Sequence, residues 1–92
     1  MRNLYTIVVE FGGETDISQF RASTPRKALA LWAAGDRPLG QNRPPSEVGR
    51  QISEQLLNGD GPVPLEGCRN VWCISGVIRR RLILIHVIQT LP

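Results

Sequence analysis

VWCISGVIRRRLILIHVIQTL, residues 71–91, is the stretch that decides the fold. Two apolar runs, Val71–Ile78 and Leu82–Ile88, flank Arg79-Arg80-Arg81. Apolar runs of strand length separated by so few residues read as a β-hairpin. The second run is apolar at odd and even positions alike, so both of its faces need cover. Such a strand belongs in the middle of a sheet, not at its edge. One face can line the domain's own core. The other would present Val71, Cys73, Val77, Leu82, Leu84 and Ile88, more apolar surface than the few hundred Å2 a monomer usually leaves in water. A chain this short has little left to cover it, which points to a partner, most simply a second copy.

Working upstream, Asp60–Asn70 contains Gly61-Pro62-Val63-Pro64-Leu65 and reads as a loop. Glu47–Asn58 reads as a helix with Val48, Ile52 and Leu56 on one stripe, Ser46 as its cap and Gly59 at its end. Gly49 weakens its first turn by about 1 kcal/mol relative to alanine. Asp36–Pro45 is a polar, proline-rich loop that carries Arg37 and Arg43. Before it, Thr24 can cap a helix whose first position holds Pro25, where a missing N–H costs nothing. Arg26–Ala34 is strong helix-former sequence, closed by Gly35, with Ala28, Leu31 and Trp32 on its core stripe and Leu29 and Ala33 widening it.

The first residues give a second hairpin. Leu4–Phe11 places Tyr5, Ile7, Val9 and Phe11 on one face by the period of two. Gly12-Gly13 is a turn signal, and Asp16–Ala22 is a more polar strand. Two registers are open. A two-residue glycine turn sets Phe20 opposite Tyr5 and Ser18 opposite Ile7. A four-residue loop, Gly12–Thr15, sets Phe20 opposite Ile7 and Ala22 opposite Tyr5. It matches more apolar area and is the one expected. The order β-β-α-α-β-β gives an α+β fold, residues 1–92 as a single domain, with a four-stranded antiparallel sheet and two helices packed on one face. The alternative has the helices straddling the sheet.

Composition bounds the function classes. Ninety-two residues, 41% hydrophobic and 21% charged, are ordinary for a globular domain and argue against general disorder. A domain of this size buries only roughly 60–65% of its unfolded surface, so its stability margin is thin. The net charge of +3 permits nucleic-acid binding without demanding it. Apart from Lys27 every basic residue is arginine, spread along the chain. No apolar run approaches the roughly 20 residues that span a bilayer, so no membrane partner is expected. Met1-Arg2-Asn3 leads straight into a strand without a secretory pattern, so the chain is expected in the cytoplasm with Cys68 and Cys73 reduced.

Three groups of residues bear on chemistry. Arg79, Arg80 and Arg81 project from a hairpin tip, where they can meet phosphate or an acidic partner or keep an apolar hairpin soluble. If Arg79-Arg80 is a two-residue turn, both residues need positive φ, which side chains with a Cβ resist. That same turn sets Cys73 directly opposite His86, on one face with Ser75. A thiol beside an imidazole can act as a nucleophile, and with Cys68 three zinc ligands are present. The spacing is loose, a fourth ligand is lacking, and Glu66 is the nearest carboxylate. No catalytic residue, metal or cofactor is therefore assigned, and the pair is expected at a packed or subunit-facing surface. Glu10, Glu14 and Asp16 surround the first turn, where acidic residues are commonly just solvated. Trp32 and Trp72 are expected as core anchors, packed near one another.

Tyr5–Phe20, with Gly12-Gly13 followed by Ile17-Ser18-Gln19, and Asn70-Val71-Trp72-Cys73 resemble a family of small bacterial proteins of unknown function and about this length. The succession of strand, glycine turn, strand and Thr-Pro-capped helix also resembles the start of HicB-type antitoxins. The chain departs from those, with a second helix and a terminal hairpin where they append a DNA-binding segment. Neither resemblance assigns a role to any residue. The expectation is a non-catalytic protein-interaction module, a homodimer joined through the sheet, of the antitoxin or immunity kind, with Val71, Cys73, Val77, Leu82, Leu84, His86 and Ile88 on its interaction face. Another protein is the other candidate for that face. The alternatives are nucleic-acid binding through Arg79–Arg81, helped by Arg26, Lys27 and the arginines of the Asp36–Pro45 loop, and a small enzyme or metal site at Cys73 and His86.

Overall fold

The computed structural model describes residues 2–35, 46–59 and 61–90. Along the chain lie β1 (Asn3–Phe11), β2 (Glu14–Ala22), α1 (Pro25–Ala33), α2 (Ser46–Leu57), β3 (Val63–Pro64), β4 (Val71–Ile78) and β5 (Arg81–Thr90). The fold is α+β, with one antiparallel sheet in the order β2-β1-β5-β4-β3. The doubly apolar β5 is its central strand. The sheet has five strands rather than the four expected. In the segment read as a loop, Val63 pairs with Cys73 and Pro64 with Trp72. A two-residue strand is too short to show periodicity, and Pro64 is tolerated because β3 is an edge. The Asp36–Pro45 loop and the side chain of Ser46 lie outside the described residues.

The register of the first hairpin corrects the expectation. Phe11 pairs with Glu14 across a two-residue turn, so Phe20 lies opposite Tyr5 and Ser18 opposite Ile7. Gly12 (φ 63°) and Gly13 (φ 80°) are both left-handed. That geometry matches the right-handed twist of the strands, and only glycine adopts it freely. The tight turn also extends β2 back to Glu14.

Helix α1 forms as its caps dictate. Thr24 is extended (φ −143°, ψ 156°) and its hydroxyl accepts from the Lys27 N–H, with Pro25 at the first position. At its far end Gly35 (φ 85°) donates its N–H to the Trp32 carbonyl at 3.0 Å. The two helices run antiparallel. The Arg26 guanidinium, at the start of α1, donates to the Leu56 carbonyl at the end of α2. A basic group there satisfies an orphan carbonyl and complements the helix dipole. Gly61 makes room for it, since a Cβ at that position would lie 2.6 Å from Arg26 Nη1.

Both helices pack on the same side of the sheet. Ala28, Leu29 and Trp32 of α1 and Val48, Ile52 and Leu56 of α2 join one core with Tyr5, Ile7, Phe20, Ile74, Ile83, Ile85 and Val87. The straddling alternative is therefore excluded. Leu29 and Ala33, expected to widen the core stripe of α1, are buried, whereas Leu31 is only half-buried and packs against the core from outside. Trp72 is half-buried and meets Tyr5 edge to face, with ring centroids 6.1 Å apart. Trp32 is buried.

Candidate interaction face

With the helices on one side, strand alternation assigns the other side. It receives Leu4, Thr6, Val8 and Glu10 from β1 and Thr15, Ile17, Gln19 and Arg21 from β2. β4 adds Val71, Cys73, Ser75 and Val77, and β5 adds Leu82, Leu84, His86 and Ile88. One rung crosses all five strands: Ile17, Val8, His86, Cys73 and Val63. Next to it toward the hairpin tips stands Leu84 beside Ser75, then Leu82 beside Val77. On the other side stands Ile88 beside Val71. Leu82, Val77, Val63 and Ile17 are 55–60% exposed. Val8, Val71, Cys73, Leu84, His86 and Ile88 are half-buried, and neither described helix packs on this side. A polar margin bounds the patch toward the Thr90 end of the strands, where Gln19 donates to Thr6 Oγ1 at 3.0 Å and the Thr6 and Thr90 hydroxyls lie 2.6 Å apart.

Cys73 and His86 are directly opposite each other at the middle of this face. The two-residue turn makes Ile78 and Arg81 the first hydrogen-bonded pair, so by alternation 73 and 86 form a non-bonded pair, the kind whose side chains approach most closely. His86 is otherwise surrounded on its face by Val8, Leu84 and Ile88, and Glu10, opposite Leu84, stands on the adjoining rung, diagonal to it. Glu66 and Cys68 are exposed, outside the strands. Within one chain no three metal-ligating side chains come together among the described residues.

The arginines divide between the two ends of the sheet. Arg79 (φ 51°) and Arg80 (φ 66°) form a left-handed two-residue turn without glycine. Arg79 pairs with Glu47 at the start of α2, at 2.9 Å, and both side chains are substantially exposed. Arg81 reaches toward the neighbouring tip, where a Cβ on Gly12 would lie 3.2 Å from its Nη1. Arg26 and Lys27 lie beyond the opposite end of the strands, roughly 25 Å away for eight residues of extended chain. Lys27 instead lines an open hollow of about 550 Å3 with Arg2 and Arg21. Glu10 and Glu14 line a hollow of about 300 Å3 with Leu82 and Leu84, at the margin of the apolar patch.

Residue-by-residue reading did not place Val8, Ile17 or Val63 on this face. The signal for Val8 was an apolar residue on the polar parity of β1. For Ile17 it was the same on β2, and for Val63 there was none. No family model, curated protein or solved structure matches this chain. No helix among the described residues is long and apolar enough to cross a membrane.

Proposed function

We propose that this chain is a non-catalytic protein-interaction module that works as a homodimer, joined face to face through the open side of its sheet. The rung Ile17–Val8–His86–Cys73–Val63 carries this reading, because it makes the apolar surface continuous across all five strands. The area is sufficient. Four long strands at about 4.8 Å spacing and about eight residues at 3.3 Å present roughly 500 Å2 of projected face. Two such faces together reach the order of 1,000 Å2, the lower bound for a specific interface. Twisted sheets stack in this way at about 10 Å with strands about 30° apart. A module of this kind acts by occupying another protein, as antitoxin and immunity proteins do. A cytoplasmic setting would keep its two thiols reduced.

Light scattering on a sizing column tests it. The expected mass is that of two chains, and Leu84→Glu should halve it while leaving the circular dichroism unchanged. A single-chain mass at millimolar concentration would overturn the reading. A second reading rests on Arg80 and Arg81, both exposed at a hairpin tip whose left-handed backbone no glycine relieves. If that tip binds nucleic acid, affinity must fall steeply with salt. A co-purifying 260 nm absorbance that disappears in Arg80→Gln/Arg81→Gln would move this reading to first place.

A further inference from the structure

We infer that the dimer carries a tetrahedral zinc site on its twofold axis, ligated by Cys73 and His86 of both copies. This rests on the face-to-face dimer just proposed.

Position comes first. His86 stands on the central strand of the sheet, midway along its outward residues, with Cys73 directly beside it. Across the sheet the pair has Val8 and Ile17 on one side and Val63 on the other. Along the strands it has Leu84 and Leu82 on one side and Ile88 with Val71 on the other. A twofold dimer that buries this face most fully puts its axis through the centre, and residues at such an axis meet their own copies. Each chain supplies two ligands, too few for a site by itself. The symmetry supplies the other two.

Geometry comes next. Facing side chains of a non-hydrogen-bonded pair have Cβ atoms about 4.5–5.5 Å apart, close enough for both to bind one ion. Stacked sheets lie about 10 Å apart, so an ion at the midplane is about 5 Å from each. A Zn–S bond of about 2.3 Å or a Zn–N bond of about 2.0–2.1 Å leaves about 3 Å for the side chain to span, within reach of a cysteine sulfur and an imidazole nitrogen. The ligand set of two thiols and two imidazoles is one that structural zinc uses, and its softness disfavours magnesium and calcium.

Charge balance agrees with the setting. Each thiol releases its proton on binding, and two thiolates neutralise one divalent ion. The neutral centre suits an apolar interface that would reject a net charge. It also gives His86 a polar partner. Without the metal, dimerisation would bury the imidazole against Val8, Leu84 and Ile88, with Glu10 on the adjoining rung as the nearest carboxylate, at a cost in desolvation.

The test uses tag-free protein, stripped with chelator and reloaded with zinc or cobalt(II). The expected result is one ion per two chains. Cobalt should show an intense thiolate charge-transfer band and the strong visible bands of tetrahedral coordination. Cys73→Ser and His86→Ala should each abolish stoichiometric binding, and Cys68→Ser should not. Both side chains stand on the open face, so the variants should keep the wild-type circular dichroism. A two-chain particle that takes up no metal, or whose cobalt spectrum lacks the thiolate band, overturns the site and leaves the dimer standing. A single chain with and without metal overturns the dimer itself.

Discussion

Arg79 and Arg80 hold backbone angles that their side chains disfavour, with φ of 51° and 66°. A Cβ in the left-handed region costs roughly 1–2 kcal/mol. At the other tip Gly12 and Gly13 take the same conformation without that penalty. Arg80→Gly should therefore stabilise the domain, the relief being reduced by about 0.5–1 kcal/mol of glycine's extra chain entropy. The expected net gain is about 0.5–1 kcal/mol, read as a melting temperature a few degrees higher. An unchanged or lower value would mean that the arginine side chain contributes more than its backbone costs. The glycine turn was legible as a turn because its residues carry the conformation in their own chemistry. The arginine turn was visible only as a demand of the strands on either side.

At the scale of elements, α1 is set by its own sequence and α2 by its neighbours. Thr24 Oγ1 takes the Lys27 N–H at 3.1 Å, so Thr24→Ala should cost about 1 kcal/mol, measured by denaturant unfolding. Helix α2 is tied to β4 by Gln51, whose amide donates to the Val77 carbonyl at 3.0 Å. Gly76 lies beneath it, where a Cβ would come 3.2 Å from Nε2 of both Gln51 and Gln55. Gly76→Val should turn both amides away and break the Gln51–Val77 bond, at a cost of about 0.5–1.5 kcal/mol, with the loss concentrated in α2 by hydrogen exchange. An equal change in every element would contradict that placement. Hydrophobic patterning could not decide the register of the first hairpin. The two candidate registers differ by a slide of two residues, which keeps every side chain on its own face. Turn geometry made the choice.

For the whole molecule, the two sides of the sheet differ in kind. One is sealed by both helices. The other has an apolar centre and a polar margin, as a protein interface does. If two chains associate there, association stabilises the folded form, and the apparent melting temperature should rise with protein concentration. Leu84→Glu should remove that dependence. A melting temperature independent of concentration in the wild type would speak against the dimer. The edges are also unequal. β3 ends the sheet with two residues and a proline, which discourages further pairing, whereas β2 offers nine residues. A second chain therefore has an edge and a face to choose from, and the apolar content of the face favours the face.

By itself the sequence determined the two hairpins, both helices, the inward residues of β1, β2, β4 and β5 and the central place of β5. Each of those follows from local periodicity, caps and composition, which short stretches of chain carry in full. The facing of Cys73 and His86 needed only the assumption of a tight turn. Only the tertiary structure decided that both helices lie on one side, that Val63 and Pro64 add an edge strand, and that Val8 and Ile17 extend the open face. It also separated Arg26 and Lys27 from the Arg79–Arg81 tip. These are relations between segments far apart in the chain. They depend on how the loops return and on which surface is left over once the core has closed, and no window of sequence contains that balance.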